Sequence, residues 1–254
     1  MKDQYFGDIS HYKETGIIRI LSNEGKVKTL VSWMMTENDG SNDGGNNNYL
    51  HDPDIWRKYD PQLFDFLAEK VLIDGKKELA ELENSGLLQN TSYHSEMIPD
   101  DLDGRATYFR NLLKIIEAQK PDLLFFEVDN GIEVKSVKKG NKNSSKYLYW
   151  GEIVEFYDTG LSLLIYQHFT RENRDSFMKR LSKDVCNQLN IDEVYIIKTS
   201  RFMMFLVMQP DSSSKIGDFA PRFQNTWGDV IQVLRFANDD LVLLEANKQK
   251  SLFP

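Results

Sequence analysis

The stretch Glu193–Pro210, EVYIIKTSRFMMFLVMQP, decides the fold. Its two halves, EVYIIKTS and FMMFLVMQP, are near-continuous apolar runs rich in β-branched and aromatic residues, so each reads as a buried strand. Only Ser200 and Arg201 lie between them. A parallel crossover needs a dozen or more residues, so these two strands must be antiparallel neighbours.

The segments before this hairpin alternate. PDLLFFEVD and LSLLIYQHF are apolar strands, and KVKTLVSWMM is a third. GRATYFRNLLKIIEAQK (Gly104–Lys120) is an amphipathic helix with Tyr108, Leu112, Ile115 and Ile116 on one face. KYLYWGEIVEFYDTG and RENRDSFMKRLSKDVCNQLN read as helices, the first ended by Gly160. His11–Ser22 reads as a short helix. Asp60 and Pro61 read as the cap and first residue of a helix to Ile73, and KKELAELENSG continues helically to Gly86. LLQNTSYHSEMI reads as a short strand, Gly217–Asn225 as a loop, and WGDVIQVLRFA as a closing helix or strand. Apolar strands alternating with helices imply a mostly parallel central sheet covered by helices on both faces. With its C-terminal antiparallel hairpin, this is the order of a Rossmann-like methyltransferase fold in a single α/β domain over residues 1–254. The domain carries a long loop at 36–48 and a basic loop at 135–146.

Bulk composition narrows the classes. The chain has 254 residues, 41% hydrophobic and 28% charged, with net charge −8. That is globular, and it lacks the basic excess of a dedicated nucleic-acid binder. Lys135, Lys138, Lys139, Lys142 and Lys146 form one local basic run, either a solvated loop or a contact for nucleic-acid phosphates. The one cysteine, Cys186, excludes an intrachain disulfide and fits a reducing compartment. The N-terminus lacks a signal-peptide core, and no run of ~18 apolar residues exists, so a cytoplasmic protein with no membrane partner is expected. Composition does not set the oligomeric state.

Function turns on FFEVDNGIEVKS, Phe125–Ser136. Glu127, Asp129 and Asn130 end a central strand, where ligands of open α/β sheets bind. They are the candidate catalytic cluster. Glu133 and Lys135 offer a second reading with Glu127, a metal-dependent nuclease of the PD-(D/E)xK type, with carboxylates for a divalent cation and a lysine for developing charge. The loop TENDGSNDGG (Thr36–Gly45) is a candidate cofactor loop through Glu37, Asp39 and Gly40. It is not a calcium loop, because Leu50 stands where the bidentate glutamate belongs. DQYFGD, Asp3–Asp8, brings Tyr5 and Phe6 either to the same pocket or to simple packing. His168, in YQHF at the end of the next strand, is a candidate substrate contact or a hydrogen-bonded structural histidine, and Lys135 is a further substrate candidate. His11, His51 and His94 show no metal-ligand spacing, no Ser/His/Asp triad can be assigned, and there is no P-loop.

The order of DLLFFEVDNGIE, KYLYWGEIVEFYDTG and LSLLIYQHFTRENR resembles the large-subunit ribosomal RNA adenine-N6 methyltransferases of the J type. In that family the floor strand ends in Asp-Pro-Pro-Tyr, where this chain has Glu127-Val128-Asp129-Asn130. The resemblance implies S-adenosylmethionine as cofactor, no metal, and an acidic side chain and a carbonyl that hold a nucleic-acid amine. It also implies an aromatic stacked on a flipped base. Glu127 matches the acid. Asn130 cannot stack, and the family's Asp-x-x-Lys falls at His11-Tyr12-Lys13-Glu14. A non-catalytic binding protein on a decayed methyltransferase scaffold is the third reading.

Overall fold

The computed structural model describes residues 1–38, 40–41 and 44–244. Among them one eight-stranded sheet runs in the order β10-β9-β7-β8-β6-β3-β1-β2. The strands are β1 (Thr29–Ser32), β2 (Thr91–His94), β3 (Leu123–Phe126), β6 (Ser162–His168), β7 (Glu193–Lys198), β8 (Phe202–Val207), β9 (Gln232–Ala237) and β10 (Asp240–Leu243). Two-residue strands β4 (Gly131–Ile132) and β5 (Tyr147–Leu148) pair separately. β2, β1, β3 and β6 are mutually parallel. β8 lies antiparallel between β6 and β7, and β9 and β10 extend the sheet antiparallel beyond β7.

Alternate residues of the central strands feed two separate cores. Val31, Phe125, Leu164 and Met204 face one side, packed with α1 (Ile9–Leu21), α3 (Pro61–Ala68), α4 (Leu79–Glu83) and α9 (Ala220–Trp227). Leu30, Leu124, Phe126 and Ile165 face the other, against α5 (Leu102–Gln119), α6 (Trp150–Tyr157) and α7 (Arg174–Leu189). The period-2 side-chain alternation of a strand delivers this three-layer arrangement. The single turn α2 (Pro53–Trp56) and α8 (Pro210–Ile216) complete the α-helices among the described residues.

Local chemistry sets the helix ends. Asp8, Asp60, Asp101 and Asn173 each accept a backbone amide of the first turn, at the starts of α1, α3, α5 and α7. Lys120 and Asn190 close α5 and α7 in the left-handed conformation. On the first core face, Tyr59 stacks on Trp227 with ring centres 5.1 Å apart, and Tyr12 meets the same indole at a tilt, 5.0 Å away. Gly16 of α1 lies flat against Trp227, whose Cζ2 would be 2.5 Å from an added Cβ.

Three expectations need correction. Gly217–Asn225 is not a loop: α8 ends at Ile216 and α9 begins at Ala220. Pro221 sits in the first turn of α9, and Phe223 and Trp227 anchor it in the core. The helix expected from Lys146 starts only at Trp150, because Tyr147–Leu148 pairs with Gly131–Ile132. The antiparallel part is also larger than a hairpin, since WGDVIQVLRFA supplies β9 rather than a helix.

The basic loop 135–146 is held by side chains from elsewhere. Arg105, fully buried, reaches Glu152 through Nε (2.6 Å) and Nη2 (2.8 Å), and the carbonyls of Ser144 (3.1 Å) and Tyr147 (2.6 Å). Asp100 accepts the amides of Asn143 and Ser145. Lys139 pairs with Glu152 at 2.8 Å. These bonds seat the loop beside the turn that follows β3, where the Asn130 amide donates to the Lys146 carbonyl.

Candidate functional site

A cavity of about 580 Å³ opens at the carboxyl ends of β3 and β6. That size lies in the usual range of ligand pockets, roughly 300–1,000 Å³. Its floor is Glu127–Asn130, one wall is the start of the chain and α1 (Tyr5, Asp8, His11, Glu14), and the opposite wall is Tyr166, His168 and Phe169. Arg174, at the start of α7, and Arg201, in the β7–β8 turn, are exposed at the rim.

The floor is rigid for a reason visible in the backbone. The Glu127 amide donates to the Ser32 carbonyl, continuing the β1–β3 ladder. The turn beyond it is fastened to β6, where the His168 amide donates to the Asn130 carbonyl. At the end of β1, buried Met34 adopts φ +41, a strained value for a bulky residue, and its carbonyl accepts the Met1 ammonium at 3.0 Å.

The electrostatics divide the acids. Burial raises Asp129, but the Met1 ammonium 3.0 Å away, Lys2 and the Thr36 hydroxyl outweigh it and hold the carboxyl below its usual range. Asp8 caps α1, accepting the Ser10 amide at 2.7 Å and the Asn46 amide at 3.1 Å. Glu14 and Glu127 also feel the Met1 ammonium, but burial outweighs it at both. Burial, then the nearby Asp8, pushes Glu14 up to about 8. Burial, then the charge of Glu14, pushes Glu127 well above the carboxylate range. Its Oε2 makes no hydrogen bond with any described residue. Two carboxyls buried on one cavity cannot both ionise cheaply, so burial and their mutual repulsion favour the protonated forms.

His11 is 1% exposed, and burial drops its imidazole to about 4. Its Nδ1 accepts the Gly7 amide at 3.3 Å, while Nε2 has no partner among the described residues. Burial raises Tyr166, and the acids Glu14 and Glu127 raise it further. Its hydroxyl lies 3.4 Å from His168 Nδ1. Burial, then Arg201, lowers His168, which stands exposed on the rim.

The structure thus brings together Glu127, Asp129, Asn130, Tyr5 and His168 around one cavity. Other candidates lie elsewhere. Phe6 is fully buried in the core against Phe66. Glu37 and Gly40 are exposed and do not line the cavity, although Gly44 of the same loop does. Asp39 lies outside the described residues. Glu133 caps α6 instead, accepting the Trp150 amide at 2.8 Å, and Lys135 is exposed. The three residues of the nuclease reading therefore do not share a wall. Among the described residues no three His, Cys, Asp or Glu side chains group to hold a metal ion, and no helix is long and apolar enough to cross a membrane.

Sequence reasoning missed His11 and Glu14 as cavity residues. Three apart on a helix, they share a face, but the spacing does not say what that face meets. Comparison with family models, curated proteins and solved structures finds no match to this chain.

Proposed function

We propose that the chain is an S-adenosylmethionine-dependent methyltransferase on a Rossmann-like methyltransferase sheet, and that its substrate is an amine of a nucleic acid. One observation carries the reading: Glu127, a buried acid at the end of central strand β3, lines a cavity at the sheet's carboxyl edge and keeps one oxygen without a hydrogen-bond partner among the described residues. The strand order supports it, with antiparallel β8 set between β6 and the last strand of the α/β alternation, β7. The donor set fits a cationic cofactor: burial holds the carboxyls of Glu14 and Glu127 toward their neutral forms, and a sulfonium or ammonium group beside them would favour the ionised forms.

When bound, S-adenosylmethionine supplies a methyl group on a positively charged sulfur. The chain's residues do the rest. Glu127 accepts one N–H of the amine and fixes the direction of its lone pair. Glu14, ionised when a positive charge sits beside it, is basic enough to take the proton that the methylated amine gives up. Tyr5 and Phe169 line the cavity and offer the aromatic face that Asn130 lacks. Arg174 and Arg201 at the rim, with Lys135, Lys138 and Lys142 nearby in sequence to the floor turn, suit phosphates of a single strand.

Titration calorimetry with S-adenosylmethionine and S-adenosylhomocysteine tests the reading. Binding that weakens at least 10-fold in Glu127→Ala, with methyl incorporation into an oligonucleotide, supports it. Binding without any incorporation supports a non-catalytic binding protein on this scaffold instead. No heat with either compound at millimolar concentration sinks the reading.

A further inference from the structure

His11 has a defined tautomer. The Gly7 amide donates to Nδ1, so Nδ1 is the acceptor, and the neutral ring carries its hydrogen on Nε2. That N–H is buried in the cavity wall with no partner among the described residues. Glu127 Oε2 is equally unpartnered on the floor. A buried donor and a buried acceptor left open on one cavity are costly unless a ligand satisfies both. The ligand must therefore present an acceptor as well as an amine. Tyr5, Tyr166 and Phe169 line the same space, which suits a flat ring.

We propose that His11 reads the substrate: its Nε2–H donates to the ring nitrogen beside the amine that Glu127 accepts, so the substrate is an amino-substituted aza-aromatic base, adenine or cytosine. This rests on the reading of Glu127 as the amine's acceptor. The N=C–NH2 edge is the chemistry both bases share. A lysine-type amine has no acceptor nitrogen beside it, and guanine has one only at N3, on the edge that the attached ribose crowds.

The test pairs each base with an analogue that lacks only the acceptor nitrogen: adenosine with 1-deazaadenosine, and cytidine with 3-deazacytidine. Binding is measured for the full chain, for His11→Asn and for His11→Gln. Asparagine keeps an acceptor for the Gly7 amide but deletes the distal N–H, whereas glutamine places an amide N–H near the Nε2 position. The wild-type protein is expected to prefer one parent nucleoside over its analogue by roughly 10-fold or more, since a site built to bond a group rejects the ligand without it. His11→Asn should bind parent and analogue equally, and His11→Gln should restore part of the preference. Whichever pair shows the effect names the base. With nitrogen-15 histidine, the His11 Nε2 resonance should shift with the parent and not with the analogue, a readout that needs no variant to fold. The proposal is overturned if no nucleoside binds, if neither pair is discriminated, or if His11→Asn discriminates as wild type does. S-adenosylmethionine is titrated separately, so a base-reading cavity without cofactor affinity would sink methyl transfer and leave His11 as the reader.

Discussion

Gln167 grips the backbone on both sides of Gly131. Its Oε1 accepts the Ile132 amide at 2.8 Å, and its Nε2 donates to the Asn130 carbonyl at 3.2 Å. Gly131 has φ +116, and a Cβ there would lie 2.4 Å from Gln167 Oε1. Gly131→Ala should therefore destabilise the fold by about 1–3 kcal/mol, from backbone strain plus displacement of the amide clamp. Urea unfolding measures it. Part of the cost should vanish in the Gly131→Ala, Gln167→Ala double variant, because the two residues are in contact. Strictly additive losses would show that the clamp does not matter.

Gly16 poses the opposite choice of effects. Alanine is the better helix former by about 1 kcal/mol. Its methyl would meet the indole of Trp227, itself 1% exposed, at 2.5 Å. Overpacking of about 1–3 kcal/mol should win. A lower melting temperature for Gly16→Ala is expected, and a higher one would mean that Trp227 can yield.

Arg105 and Glu152 are 0% and 2% exposed at their side chains and meet through two hydrogen bonds. Removing Arg105 leaves buried Glu152 with the partly exposed Lys139 as its counter-charge, at a cost of up to about 3–5 kcal/mol. Arg105→Met should show that loss in urea unfolding, together with faster hydrogen exchange around Ser144 and Tyr147, whose carbonyls the guanidinium holds. Unchanged exchange there would show that Asp100 alone seats the loop.

Two buried groups give stability opposite dependences on pH. Folding raises Glu14 from 4.5 to about 8, so the folded chain binds the extra proton and stability falls as pH rises through that window. Folding lowers His11 from 6.5 to about 4, so stability falls as pH drops through the lower window. Between about 4.5 and 6.5 the slopes oppose each other, and above 6.5 the decline from Glu14, joined by that from the likewise raised Glu127, is no longer opposed by His11. Melting temperatures from pH 5 to 9 should show that decline, and Glu14→Gln should flatten it. A profile unchanged by Glu14→Gln would refute the assignment.

The sheet was legible because buried strands carry their own signature. LSLLIYQHF and FMMFLVMQP are apolar on both faces, and only a covered sheet accepts that. Glu127, Asp129 and Asn130 were legible too, since the end of a central strand is a topological position that the sequence reveals. The wall was not. His11 and Glu14 sit on a helix whose apolar residues report packing, and nothing in their spacing says that the cavity end of that helix faces β3. The α9 segment was obscured by Gly217, Pro221 and its polar residues, and tertiary anchoring through Phe223 and Trp227 decides it. Glu133 and Lys135 misled because two residues on a strand share a face, yet the strand ends at Ile132.

The contact between Gly16 and Trp227 joins residues 211 positions apart in the sequence. Helix α1 is made early in synthesis, but its packing partner is among the last parts of the described chain to appear. Until Trp227 arrives, the face that carries Gly16 and Tyr12 lacks part of its cover, although Tyr49 and Phe64 already pack on Tyr12. His11 and Glu14 ride on that helix. A nascent chain halted before α9 should therefore carry most of the sheet while one wall of the cavity still lacks its backing.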